Sequence, residues 1–342
     1  KVVPYIFTSA TDFTKGTLIN VNSDAPNDEQ LQLDAASETL GFIWVPASAR
    51  GTIIKVNTKT GDILGEYWSA PDGRGRDPSR TTVDLNGNVW AGNRAEASLV
   101  ATNAIALGRP IVDSSMGSVV QIGLKENGQC QDRDSSGTIE TSTGLGDIRP
   151  WTNALDVDTL GGVDTAEDEC IIKYVRVEGD LVRHVSVDAN NNVWTAGNFG
   201  LDNAFELIDG TTGSILSSFN VGCGGYGGLA DKGVLWSANR GPGTVGLLRY
   251  DTKNTLPTTD DTWTCSPANS YGVGIDGNGN IWNALWTDNS INKLDPAGGL
   301  FPGFPKTTGG VNSRGVAVTK TDNHVWVANS ESDDVSRLDN DG

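Results

Sequence analysis

Apolar and polar residues alternate over short runs, and Gly, Asn and Asp punctuate them. That is the period-two signature of half-buried strands joined by tight turns. No stretch repeats its apolar residues at convincing helical spacing. One phrase recurs: a β run, an Asp, Asn/Gly residues, an aliphatic-Trp pair, then small residues and Asn. It appears as TTVDLNGNVWAGN (81–93), VSVDANNNVWTAGN (185–198), GLADKGVLWSAN (228–239), VGIDGNGNIWNALW (273–286) and VAVTKTDNHVWVAN (316–329). A looser copy is LQLDAASETLGFIWVPAS (31–48). The tryptophans are Trp44, Trp90, Trp194, Trp236, Trp282 and Trp326, separated by 46, 104, 42, 46 and 44 residues. The period lies in the mid-forties, with one long insertion between Trp90 and Trp194.

A third β run follows each Trp, as in GTIIKVNTKTGD (51–62), AFELIDGTTG (204–213) and INKLDPAGG (291–299), and a fourth follows some of these, as in ILSSFNV (215–221). Four short strands per unit, repeated, predict an all-β fold: a β-propeller of four-stranded blades over residues 1–342 as a single domain. A lone four-stranded sheet exposes two apolar faces, and stacking blades buries both. The Trp on each second strand is then a gap filler between neighbouring blades. The pattern predicts seven blades, with six as the alternative, because Tyr5-Ile6-Phe7 occupies an aliphatic-aromatic slot. The last unit stops after a third strand, so the ring seam is expected to need chain beyond Gly342.

The repeated phrase resembles NHL and YVTN-type repeats and the wider streptogramin-lyase-like propeller group. The resemblance covers nearly the whole chain outside the insertion, and implies the propeller fold. Lyase members of that group carry a catalytic His and Glu, bind a divalent ion, and read Trp-Phe-Thr-Glu after the aliphatic residue. The matching slots here read Trp194-Thr195-Ala196-Gly197 and Trp282-Asn283-Ala284-Leu285, without the Glu. The chain looks more like the secreted or cell-surface bacterial propellers that carry such blades.

Residues 125–170 interrupt the third repeat unit, between GSVVQIGL (117–124) and CIIKYVRV (170–177). They include Asp132-Arg133-Asp134-Ser135-Ser136-Gly137-Thr138-Ile139-Glu140. Oxygen-bearing residues at loop positions one, three and five, with Gly at six, form the first part of an EF-hand or dockerin type calcium loop. Asp132, Asp134 and Ser136 are the expected side-chain ligands, Thr138 a carbonyl ligand, and Glu140 a direct or water-borne one. Position twelve is Thr143 rather than the usual Glu. Asp147, or a carboxylate of Glu167-Asp168-Glu169, is expected to replace it. An all-oxygen set favours Ca2+ over magnesium, and the loop has no Cys or His for zinc.

The four cysteines permit three pairings. Cys130–Cys170 is expected because the two bracket the insertion, and closing that loop contributes about 3–4 kcal/mol in the chain-entropy model. Cys223–Cys265 is expected because one blade period separates them, which makes equivalent positions neighbours.

Aligning the units on their Asp (Asp84, Asp188, Asp231, Asp276) places two columns at the start of the first strands. One holds Ser79, Arg183, Tyr226, Tyr271 and Arg314; the next holds Arg80, His184, Gly227, Gly272 and Gly315. Arg, Tyr and His converging at a channel mouth suit an anion, a glycan or a polar peptide. The competing expectation is that Arg and Tyr satisfy nearby carbonyls and the Asp column. His184 is the sole candidate general base, and no nucleophile or Glu stands in register with it. No phosphate loop, dinucleotide fingerprint or Gly-x-Ser-x-Gly is present.

Composition narrows the classes. Forty-three Asp+Glu against 25 Lys+Arg give a net charge of −18, which opposes nucleic-acid binding. Two histidines exclude His-rich metal sites, and no apolar run is long enough for a membrane helix. An even cysteine count and Asp-rich loops favour an extracellular, secreted or cell-surface setting, and the start at Lys1 fits a processed chain. The sequence therefore predicts a calcium-stabilised binding, adhesion or surface module for an unknown glycan, peptide or surface protein. The alternatives are a lyase or hydrolase at the mouth, with His184 as base, and a self-associating assembly subunit.

Overall fold

The computed structural model describes residues 21–22, 32–33, 40–72, 74–94, 116–152, 166–197, 204–239, 246–256, 260–267, 269–319 and 322–342. The chain divides into two compact units, Lys1–Ile43 and Trp44–Gly342. In the first, β1 (Val21–Asn22) and β2 (Gln32–Leu33) pair antiparallel with each other.

Six sheets follow, each an antiparallel meander in chain order. Blade 1 is β3 (Phe42–Ala47), β4 (Thr52–Asn57) and β5 (Ile63–Trp68). Blade 2 is β6 (Pro78–Val83), β7 (Val89–Asn93), β8 (Gly117–Ile122) and β9 (Ile171–Val177). Blade 3 is β10 (Val182–Val187), β11 (Val193–Gly197), β12 (Ala204–Ile208) and β13 (Ile215–Asn220). Blade 4 is β14 (Gly227–Asp231), β15 (Val234–Ala238), β16 (Leu247–Asp251) and β17 (Thr262–Ser266). Blade 5 is β18 (Ser270–Ile275), β19 (Ile281–Leu285), β20 (Ser290–Leu294) and β21 (Lys306–Thr307). Blade 6 is β22 (Ser313–Val318), β23 (Val325–Asn329) and β24 (Asp334–Leu338).

The fold is thus a β-propeller of six blades with three or four strands each, not the seven expected. Tyr5-Ile6-Phe7, on which the seventh rested, lies outside the described residues. Of the LQLD run, the described Gln32–Leu33 pair with β1, and among the described residues blade 1 opens on the Trp44 strand. The insertion consequently falls in blade 2, between β8 and β9.

First strands lie side by side from blade 2 to blade 6. The core is distributed between blades, as the tryptophan pattern requires. Trp90, Val119 and Val175 pack with Val185, Val193 and Ile208 of blade 3. Trp194 and Phe205 pack with Leu235, Leu248 and Tyr250 of blade 4. Trp236 meets Ile281 and Leu294 of blade 5, and Trp282 meets Val325 and Val327 of blade 6. The repeated spacing of Asp and Trp within the phrase also has a cause. Asp84 Oδ1 accepts the amides of Asn86 and Asn88, and its Oδ2 accepts Trp90 Nε1 at 3.2 Å. Asp276 repeats this with Asn278, Asn280 and Trp282 Nε1 at 3.1 Å. One carboxylate closes the turn between first and second strands and orients the buried indole.

Both expected disulfides are present, Cys130–Cys170 and Cys223–Cys265. The second does not join equivalent positions of adjacent blades. Cys223 lies in the connection from β13 to β14, and Cys265 lies on the outer strand β17. The bridge therefore ties the entry into blade 4 to that blade's own edge.

Candidate functional site

The blade 2 insertion is held by buried carboxylates. Asp168, 1% exposed, accepts the Ser142 amide and hydroxyl on Oδ2 and the Thr141 hydroxyl and Cys170 amide on Oδ1. Glu169, also buried, accepts the amides of Arg133 and Glu140. The Cys130–Cys170 bridge sets residue 169 beside residue 131, where the Gln131 amide donates to the Glu169 carbonyl at 2.9 Å. As a result, carboxylate oxygens of Asp132, Asp134 and Glu169 lie within 4.8 Å of one another. Gly137 (φ 81°) supplies the left-handed turn expected at loop position six. The Ser136 amide donates to Asp132 and Asp134, and holds the Asp134 carboxyl below its ordinary range. Three carboxylates in that space are chemically suited to a hard cation.

The other expected ligands lie elsewhere. Asp147 accepts the Thr143 hydroxyl, and Glu140 pairs with Arg149 at 2.8 Å. Ser136 Oγ donates to the Thr138 carbonyl at 3.0 Å. Of the two expected sources of a further carboxylate, Glu169 of the 167–169 run and not Asp147 stands beside Asp132 and Asp134, because the disulfide returns a distant carboxylate while Asp168 draws the chain after Glu140 away. Its signal in the sequence was its position next to Cys170.

At the mouth, the structure brings the two columns together. Tyr226 precedes β14 and Tyr271 lies in β18; their hydroxyls are 3.0 Å apart and their rings meet edge-on at 4.9 Å. Arg183, from β10, donates to the Tyr226 hydroxyl at 2.9 Å and lies 4.6 Å from that ring's centroid. Arg80, from β6, lies over both rings at 5.3 and 5.9 Å. Arg314, from β22, lies 5.5 Å from Tyr271 and 5.5 Å from Trp286. Five blades thus contribute to one cluster. Pairing is irregular at the start of β6, β10, β18 and β22, and such bulges re-aim the side chains beside them. Gly227 matters for a specific reason: a Cβ there would lie 2.9 Å from the Arg80 guanidinium carbon.

The Asp column does not neutralise these arginines. Asp84 and Asp276 sit at the far ends of the first strands, closing turns. Nε of Arg80, Arg183 and Arg314 is buried and makes no hydrogen bond among the described residues. Burial lowers the Arg183 pKa, and the like charges of Arg94 and Arg80 add to that effect. Trp286, and Arg94 with its partner Asp77 at 2.6 Å, were not singled out from sequence.

His184 lies beneath the cluster and is fully buried. Its Nδ1 bonds Ser237 Oγ at 3.0 Å and its Nε2 bonds Ser186 Oγ at 2.8 Å. Burial pushes its pKa down to about 3, so the ring is neutral. It presents no free nitrogen to a substrate.

No protein-family model matches the chain, and no curated protein matches it in sequence. Solved structures do resemble it. A streptogramin B lyase is similar with a TM-score of 0.54 at 15% identity, covering 88% of this chain and 76% of that one. A catalytically inactive virginiamycin B lyase from Staphylococcus aureus, with quinupristin, is similar with a TM-score of 0.53 at 13% identity, covering 89% of this chain and 82% of that one. Likeness at this identity shows the β-propeller fold alone.

Proposed function

We propose that the protein is an extracellular binding module, stiffened by two disulfides and by Ca2+ in the blade 2 insertion, that holds a glycan, peptide or surface protein at the mouth. The observation that carries this reading is the cluster of Arg80, Arg183 and Arg314 around Tyr226 and Tyr271, fixed by five blades and left without carboxylate partners among the described residues. The Asp132, Asp134 and Glu169 carboxylates support calcium. The disulfides support an oxidising compartment. Among the described residues, no helix is long and apolar enough to cross a membrane. His184, the base a lyase would need, is out of reach.

The test has two arms. Immobilised protein is challenged with a panel of neutral and acidic glycans and peptides, and thermal unfolding is followed with Ca2+ and with chelator. Binding without turnover is expected, and it should be lost in Arg183→Ala. Chelation should remove about 2.7 kcal/mol of stability if calcium stood at a hundred times its dissociation constant. Asp132→Asn should erase that response and Asp147→Asn should keep it. Turnover of a panel member would replace the binding reading with an enzymatic one, and equal midpoints with and without calcium would remove the ion.

A further inference from the structure

The mouth carries more chemistry than a generic polar surface. Its three arginines come from β6, β10 and β22 and are each partly exposed. Arg183 is bonded to the Tyr226 hydroxyl, while Arg80 and Arg314 make only ring contacts among the described residues. Three buried Nε–H donors without acceptors among the described residues destabilise the fold unless an acceptor joins them. Guanidinium groups offer planar pairs of donors that match a carboxylate or sulfate. Like charges gathered on two tyrosines repel one another, and an anion between them relieves that repulsion.

Two further facts narrow the ligand. Tyr271 and Trp286, both partly exposed, lie with ring centroids 6.0 Å apart on the Arg314 side of the cluster, a surface on which a sugar or aromatic ring can pack. The whole chain carries a net charge of −18. At physiological salt, charges are screened beyond about 8 Å. A compact anion seated among the arginines feels mainly them, whereas an extended polyanion also meets the acidic surface.

We propose that Arg80, Arg183 and Arg314 form a receptor for one compact oxyanion, a carboxylate or sulfate, carried on a ring that packs against Tyr271 and Trp286. The acidity of the rest of the chain excludes extended polyanions. This rests on the reading of the mouth as a binding surface and specifies what it binds.

The experiment is calorimetric titration of the whole protein with sodium glucuronate, glucose, inorganic sulfate and dextran sulfate, at low and physiological salt. Glucuronate should bind at least about tenfold more tightly than glucose, and more tightly than inorganic sulfate. Dextran sulfate should bind no more tightly per charged group than glucuronate. Arg80→Gln and Arg314→Gln should each weaken glucuronate about tenfold or more, the scale of a charge-assisted hydrogen bond. Gly227→Ala should weaken it similarly without changing any charge, because its methyl displaces the Arg80 guanidinium. An unchanged calcium-dependent midpoint shows that these variants are folded. Equal binding of glucose and glucuronate overturns the oxyanion while leaving a binding surface in place. Equal binding of inorganic sulfate and glucuronate overturns the ring contact, and tighter binding of dextran sulfate overturns the exclusion. If none of the four probes binds, the oxyanion receptor falls, and the glycan and peptide panel decides the binding reading separately.

Discussion

Asp132 and Asp134 stand two residues apart, and Glu169 reaches them because Cys130–Cys170 clips the ends of the insertion together. Arg80, Arg183 and Arg314 stand on three different blades, and no covalent link gathers them. The insertion is a local motif completed by one cross-link. The mouth is a product of strand register repeated across the propeller. The first concentrates negative charge and the second concentrates positive charge, which suit the proposed cation and the proposed anion in turn. Damage should therefore behave differently in the two regions. Cutting the cross-link should scatter the acidic set at once, whereas no single covalent change disperses the arginines.

The largest expected effect tests that asymmetry. Cys130→Ser with Cys170→Ser opens a bridge between residues separated by 40 positions, worth about 4 kcal/mol in the chain-entropy model. Urea denaturation should show a loss of that order, and the response to calcium should disappear with it. Glucuronate binding at the mouth should persist in the folded fraction. Loss of calcium response and mouth binding together would show that the two regions are one cooperative unit.

Acid should separate the regions next. The His184 pKa is about 3 in the folded chain and 6.5 in its ordinary setting. Between those values the unfolded state takes up a proton that the folded state refuses. Stability is therefore full above pH 6.5 and falls as pH drops toward 3, by up to about 1.4 kcal/mol per pH unit. His184→Gln should flatten the slope of stability between pH 6 and pH 4. The Asp134 carboxyl is likewise held below its usual range, chiefly by the Ser136 amide, but for an acid this means that its charge survives into more acid solution. The packing around His184 should therefore weaken at a pH where the Asp134 carboxylate is still charged. An identical slope in His184→Gln would show that the imidazole does not govern it.

The repeat was legible because its residues have one job each. Trp90, Trp194, Trp236 and Trp282 fill inter-blade gaps, and Asp84 and Asp276 close the turns that present them. Both disulfides were also legible from spacing, although Cys223 proved to sit in a connection rather than at a repeat-equivalent position. Blade number was not legible, because an apolar run does not say what it pairs with. Gln32–Leu33 reads as a first strand, yet its partner is Val21–Asn22. The choice between Asp147 and the Glu167-Asp168-Glu169 run was open in the sequence for a related reason. Loop numbering points to Asp147, whereas a cross-link delivers Glu169 from the far end of the insertion. At the mouth, alignment found the five Arg and Tyr positions but put Arg80 one register away from Arg183. Only the irregular strand starts, the length of the Arg80 side chain and the missing Cβ at Gly227 let both reach the same tyrosines.

The smallest expected effect separates scaffold from receptor within the mouth itself. The Tyr226 and Tyr271 hydroxyls bond each other at 3.0 Å, and Tyr226 also accepts from Arg183 at 2.9 Å. Burial raises the Tyr271 pKa, and the bond to Tyr226 raises it further, so the Tyr271 hydroxyl stays protonated at neutral pH and can share an ordinary hydrogen bond. Such a bond contributes about 1 kcal/mol net. Tyr271→Phe keeps the ring that Arg80 and Arg314 lie over, so stability should fall by no more than about that amount. A double-mutant cycle with Tyr226→Phe should return a coupling of about 0.5–1 kcal/mol. If the tyrosines merely brace the scaffold, Tyr271→Phe should change stability and leave the glucuronate affinity untouched. If they position the arginines, affinity should fall with the bond, and more in Tyr226→Phe, which also releases Arg183. Affinity unchanged in both variants would leave the three guanidinium groups positioned by the blades alone.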